Sequence, residues 1–299
     1  AARHRRQADG RDTGITLARE HKCVLESTAR LSREGFNVKI LPIQKNGLLD
    51  LSTLKEALDD RVVIVSVMAA NNEIGGIQPL ADIGAMVREC GAWFHTDAAQ
   101  AFGKYPLDVD AICIDMMSIS GHKIYGPKGV GALYVRGRKP KVELDPLMDG
   151  GGQERGLRSG TLPVPLCIGL GAAADIAKSE MGQEAERLTR MRNRLWDLLQ
   201  QSDADLSLNG DMDQRLPGNL NITVPGVESS ELLAALDGLS VSSGSACSSG
   251  AQAASHVLQA LGHDPAKVAA GLPIGLGRFT TENDIAAAAE MLLAAVSKK

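Results

Sequence analysis

Lys123 follows the apolar run Cys113 to Ile119 and precedes Tyr125-Gly126-Pro127, in the stretch MSISGHKIYGPKG that covers residues 117–129. A lysine amine at a strand end can condense with an aldehyde; on an open face it only solubilises. Its neighbours favour the first use. Asp97 and Gln100 follow the run Ala92 to His95, Ser120 and His122 come just before the lysine, and His21 follows the first apolar run. A pyridoxal phosphate enzyme needs such a set: an amine for the aldehyde, an acid to keep the pyridine nitrogen protonated, and a ring to cover one face. It also needs small polar residues for the phosphate and a donor for the phenolate oxygen. Lys123, Asp97, His21, Ser120 with His122, and Gln100 fit these places. Cys247 adds a thiol in the stretch Ser242 to Gly250, which is too rich in serine and glycine to be held by side-chain packing. Such a thiol is free to attack at one place and deliver at another.

The elements that must position these residues read as a βαβ rhythm. Apolar runs of strand length occur at Gly14 to Leu17, Val62 to Met68, Ala92 to His95, Cys113 to Ile119 and Val130 to Val135, and Leu80 to Cys90 has helical spacing. Strands apolar on both faces predict an α/β fold with a mostly parallel sheet flanked by helices. In such sheets ligands gather at the carboxyl ends of the strands, where Asn71-Asn72-Glu73, Asp97 and Ser120 to Lys123 fall. A long helical pattern from Leu166 to Gln201 leads into a second region. That region has a strand at Asn219 to Val224, helices at Glu228 to Leu236 and Ser255 to Leu261, and a last helix whose start carries a Thr281/Asp284 capping box. The division expected is a large domain over 1–182 and a smaller α+β domain over 183–299.

The chain of 299 residues is 44% apolar and 23% charged, enough to bury a core, and its net charge of -4 gives no electrostatic reason to expect nucleic acid or an anionic membrane as partner. The cluster Arg3-His4-Arg5-Arg6 reads as a solvated helix face. No apolar run reaches membrane-spanning length and no signal-peptide pattern opens the chain, so the cytoplasm is the expected location. Five widely spaced cysteines, with no C-x-x-C pair, suggest neither a disulfide framework nor a zinc site. Cys23, Cys90, Cys113 and Cys167, in or beside apolar segments, are expected to be small buried hydrophobes. The start at Ala1-Ala2-Arg3, without methionine, reads as the tail of a helix and so as a fragment.

Seven segments in order resemble the cysteine desulfurases of the NifS/IscS class, in the class-V aminotransferase family. They are Glu20 to Leu25, Asn71 to Gly75, His95 to Gln100, Ser120 to Gly129, Gly150 to Gly156, Arg158 to Thr161 and Ser242 to Cys247. The resemblance implies the fold-type I architecture of pyridoxal phosphate enzymes and assigns roles. Lys123 would carry the Schiff base, Asp97 would pair with the pyridinium nitrogen, His21 would stack on the ring as a catalytic residue, and Gln100 would bond the phenolate oxygen. Asn72 would lie beside cofactor and substrate carboxylate. Ser120 and His122 would hold the phosphate, with Gly121 letting the backbone pass close. Thr161 would reach the phosphate of the partner subunit's cofactor, making a homodimer the active unit. Cys247 would take sulfur from L-cysteine as a persulfide, leaving alanine, and pass it to an iron–sulfur scaffold protein or other acceptor, briefly sharing iron with the scaffold.

Two departures stand out. The family's Gly-Ala-Thr-Glu turn to the phosphate, upstream of the first strand, is absent from this sequence, and Pro273 stands where the family places an arginine for the substrate carboxylate. Inside a sheet that proline would also remove a ladder hydrogen bond. Both features fit a competing reading, a truncated, non-catalytic homologue that keeps the dimer and partner surfaces. A selenocysteine lyase or aminotransferase of the same fold is the third reading, against which the Cys247 stretch speaks.

Overall fold

The computed structural model describes residues 1–236, 238–239, 241 and 254–297. They form two compact units: residues 1–41, 49–69 and 78–180 in one, and residues 42–48, 70–77 and those from 181 onward in the other.

The first unit contains α1 (Ala2–Asp9), β1 (Thr13–Leu17), α2 (Lys22–Arg33), β2 (Asn37–Leu41), α3 (Leu51–Ala57), β3 (Val62–Ser66), α4 (Leu80–Glu89), β4 (Trp93–Asp97), β5 (Met116–Ser120), β6 (Gly131–Val135) and the first half of α5 (Val164–Gln200). Its sheet has the order β2-β1-β3-β4-β5-β6, parallel except for β6 at one edge. Val62, Val63 and Val65 of β3, Ile15 and Leu17 of β1, and Phe94 of β4 are all buried. This two-sided burial is what their continuous apolar runs predict. At the β2 edge the alternation Asn37-Val38-Lys39-Ile40-Leu41 leaves Ile40 exposed, so the strand carries no continuous apolar signal.

Two expectations about this unit are corrected. The arginines of α1 do not simply face solvent: Arg5 lies 4.9 Å over the Trp93 ring and donates to the Gly91 carbonyl, and Arg6 lies 4.7 Å over the Phe36 ring. Their guanidinium planes pack the helix down while their edges stay wet. Nor are the four described cysteines buried. Cys23 and Cys167 are exposed, and Cys90 and Cys113 are half-buried. Cys23 and Cys167 lie on helices whose 3.6-residue period lets a thiol point off the apolar face, Cys90 caps the end of α4, and Cys113 sits in the turn before β5.

The second unit holds β7 (Ser207–Leu208), β8 (Asn219–Thr223), α6 (Ser229–Ala235), α7 (His256–Ala260), α8 (Pro265–Ala269), β9 (Gly271–Gly275) and α9 (Glu282–Ser297), with the second half of α5. Its antiparallel sheet runs β7-β8-β9. Leu220 and Ile222 of β8, with Leu272 and Ile274 of β9, pack on Leu195 and Leu199 of α5 and Leu292 of α9. The capping box of α9 is formed: the Thr281 N–H donates to Asp284 Oδ2 at 2.8 Å, and the Asp284 N–H donates to Thr281 Oγ1 at 3.2 Å. No helix among the described residues is long and apolar enough to cross a membrane.

Candidate active site

The parallel registers bring the carboxyl ends of β1, β3, β4 and β5 side by side. Thr16 pairs with Ser66, Ser66 with His95, and Asp97 with Ser118. Asp97, the last residue of β4, is buried, and its Oδ1 accepts the Ala99 N–H at 2.9 Å. Gln100 follows half-buried in the same turn. On the neighbouring strand, β5 ends at Ser120, and Gly121–Ile124 turns as a single 3-10 turn that carries Lys123, half-buried. Ser120 Oγ and His122 Nδ1 lie 3.0 Å apart.

The lysine loop is closely folded. Tyr125 ends the turn in the left-handed region, at φ 65°, and the Gly126 N–H donates to the Gly121 carbonyl at 3.0 Å. A Cβ on Gly126 would stand 2.9 Å from that carbonyl oxygen, and one on Gly121 would stand 3.0 Å from the Val130 oxygen. Only glycine admits this approach of backbone to backbone. The start of α5 packs behind the loop, for a Cβ on Gly169 would meet Pro127 at 2.6 Å.

His21 caps α2 after β1. Its Nδ1 accepts the Cys23 N–H at 3.3 Å and lies 3.0 Å from Cys23 Sγ. That bond places the proton of the neutral ring on Nε2. Three further groups mark where the charge of Asp97 reaches. Burial pushes the Glu20 carboxyl up to about 8, against the Met68 N–H that it accepts at 2.8 Å, and Asp97 pushes it further the same way. Burial and then Asp97 raise the Cys23 thiol. Burial holds His95 down to about 4, with Asp97 acting in the opposite direction. His95 and Glu20 have no role in the sequence reading, although both lie in its motifs. The missed signal is a polar side chain inside an otherwise apolar strand or turn.

Thr161 is exposed in the loop before α5. Asn72 is half-buried and belongs to the second unit, where the Asn71 side chain accepts the N–H groups of Glu73 and Ile74 and the Asn221 amide donates to the Glu73 carbonyl. Pro273 is buried on β9 opposite Asn221. Cys247 lies outside the described residues.

The profile of the family described as Aminotransferase class-V matches residues 1–287. A cysteine desulfurase IscS of Rickettsia bellii is 50% identical over 284 residues, 95% of this chain and 69% of that protein. Among solved structures, a NifS-like protein superposes with TM-score 0.88 at 33% identity, covering 99% of this chain and 77% of the other. A NifS-like protein from Rickettsia africae gives 0.86 at 28%, covering 96% and 76%.

The donor set at the strand ends fits pyridoxal phosphate: an amine, a buried carboxylate one strand away, an oriented imidazole, and a hydroxyl–imidazole pair beside a glycine turn that no Cβ fills. The family enzymes depend on that cofactor, and this chain, matched along nearly its whole length, belongs to the class-V aminotransferase family.

Proposed function

We propose that the chain is a cysteine desulfurase that takes the sulfur of L-cysteine onto Cys247 and releases L-alanine. The observation that carries this reading is the pair of adjacent strand ends, with Asp97 buried on β4 and Ser120 to Lys123 leaving β5 beside it. When bound, the cofactor supplies an electron sink that accepts electron pairs from bonds around the substrate's α-carbon.

The protein's own groups do the rest. Lys123 is the amine that would hold the cofactor's aldehyde, and Asp97 would keep the ring nitrogen protonated. His21, fixed by its bond from the Cys23 N–H, would cover the ring, while Gln100 would reach the phenolate oxygen. Ser120 and His122 would take the phosphate at the mouth of the 3-10 turn. The Cys247 thiolate would attack the substrate sulfur, forming S–S as the C–S bond breaks, so the substrate carbon gains the electron pair and leaves, protonated, as alanine. The enzyme thiol and cysteine thereby become an enzyme persulfide and alanine, with atoms and electrons balanced. Asn72 would face the substrate carboxylate.

Delivery to an iron–sulfur scaffold, with Cys247 briefly sharing its iron, extends the same proposal. So does a homodimer in which Thr161 reaches the partner's phosphate. Leu147 (84% exposed), Ile168 (67%) and Val164 (56%) are exposed apolar side chains of the first unit that a second copy would cover. A thiol relay of this kind suits the reducing cytoplasm. Pro273 favours a second reading, a homologue that binds the cofactor and dimerises but holds the substrate carboxylate poorly.

Borohydride treatment of the cofactor-loaded chain tests the first step. Cofactor should be fixed on Lys123, and Lys123→Ala should lose that label with an unchanged far-UV spectrum. A label on another lysine refutes the assignment.

A further inference from the structure

His95 lies on the same face of β4 as Asp97, two residues earlier, and its ring spans three strands. Nδ1 is 2.7 Å from Ser66 Oγ on β3, and Nε2 is 2.9 Å from Ser118 Oγ on β5. Ser118 is the register partner of Asp97 itself. We propose that His95, bolted between Ser66 and Ser118, is the positioning residue that sets the Asp97 carboxylate toward the cofactor's ring nitrogen; this rests on the reading of Asp97 given above.

Two physical arguments support it. The first is geometric. A neutral imidazole has one N–H and one acceptor nitrogen, so one serine must donate to the ring and the other must accept from it. The chain therefore has a direction, and breaking either contact leaves a polar atom in a mostly buried setting without its partner, which is costly. The strands that carry Asp97 and the lysine turn are thus locked together at the level of the carboxylate.

The second is electrostatic. Burial holds the ring neutral down to about pH 4, and Asp97 on the same strand is the charge that acts on it. The groups facing it from β3 and β5 are hydroxyls. A cationic ring at this place would offset the carboxylate that the cofactor nitrogen needs. The neutral ring supplies the same rigidity and leaves that charge whole.

The test compares the full chain with His95→Leu, His95→Gln, Asp97→Asn and the His95→Leu/Asp97→Asn pair. The readouts are the dissociation constant of added pyridoxal phosphate and the pH at which the visible band of the bound cofactor titrates. Losing the bolt should weaken cofactor binding about tenfold, the scale of one hydrogen bond left unmade, and should move the titration in the same direction as Asp97→Asn. His95→Gln, which retains one donor and one acceptor, should recover most of the loss. The pair should bind no more weakly than Asp97→Asn alone, because His95 acts through Asp97. Wild-type binding and titration in His95→Leu, with both altered in Asp97→Asn, would overturn the inference, as would full additivity in the pair. If Asp97→Asn itself behaves as wild type, the role of Asp97 falls and the inference with it. A measurement independent of folded variants uses the chain with 15N-labelled histidine: His95 should show one neutral tautomer, unchanged from pH 8 to about 5. Titration at the ordinary histidine value, near 6.5, would overturn the proposal.

Discussion

Pro273→Arg is the substitution whose outcome the structure constrains most tightly. Residue 273 pairs with Asn221 across β8 and β9, while the Leu276 N–H donates to the Gly218 carbonyl at 2.7 Å and the Val224 N–H to the Ala270 carbonyl at 3.3 Å. The bonded pairs are therefore the even-numbered ones, and 221–273 is a non-bonded pair. Because β9 is an edge strand, the proline nitrogen faces away from β8 and no ladder bond is lost. This removes the cost expected of a proline inside the sheet. Leu272 and Ile274 enter the core, so residue 273 points to the other face, with Asn221, whose amide bonds the Glu73 carbonyl at 3.1 Å. An arginine there would rise toward the turn that carries Asn72. A charge-assisted pair with the substrate carboxylate contributes about 1.5–3 kcal/mol, a factor of about ten to over a hundred in affinity. Since Pro273 is buried, desolvation of the guanidinium brings the expected gain to the lower end, about tenfold. Alanine production at varied cysteine should give a lower KM with kcat little changed, as an interaction made equally in ground and transition states requires. Thermal unfolding without substrate should show a loss, because desolvation of the buried, unpaired guanidinium adds to the about 0.4–1 kcal/mol of entropy that the unfolded chain regains. An unchanged KM together with that loss would refute the reasoning, because the arginine would be in place and idle.

Gly126→Ala should destabilise the first unit by about 1–3 kcal/mol, the usual range for overpacking, because its Cβ would stand 2.9 Å from the Gly121 oxygen and 3.2 Å from Ala173 Cβ; an unchanged denaturant midpoint would contradict this. His95 also gives a pH signature. Unfolded chains take up the histidine proton below about 6.5, whereas the folded ring stays neutral to about 4. Stability is thus lost as pH falls through that window, by about 3 kcal/mol relative to His95→Gln, and a stability difference that is flat from pH 7 to 4 would rule it out. If the proposed homodimer forms through this face, Ile168→Asp, at a 67% exposed apolar position, should make it a monomer in sedimentation, while a persistent dimer would place the interface elsewhere.

What the sequence made legible follows from where the physics is local. Val62 to Met68 read as a strand because burial on both faces leaves an apolar run with Ser66 as its one polar residue. β2 did not, since Lys39 and the exposed Ile40 sit on a sheet edge. The polar residues past β4 and β5 were readable as a mouth because parallel strands of one sheet end on the same side. The Ser66–His95–Ser118 bridge was not, for its three members are 29 and 23 residues apart and only the strand register joins them. The same holds for Asn72. Its segment belongs to the second unit through bonds such as Leu216 N–H to the Gly75 carbonyl and Ile77 N–H to the Gln214 carbonyl, and no local pattern announces those pairings. The cysteines were misjudged because neighbouring apolar residues say which face is buried, not which face the thiol takes.

The central claim is that sulfur leaves cysteine for Cys247, and mass spectrometry of the intact chain tests it most directly. After one turnover with cysteine and pyridoxal phosphate, the account predicts one added sulfur on the peptide containing Cys247, one alanine per sulfur, and neither in Lys123→Ala. Alanine formed without sulfur on Cys247, or sulfur carried on Cys23 or Cys167 instead, would contradict it.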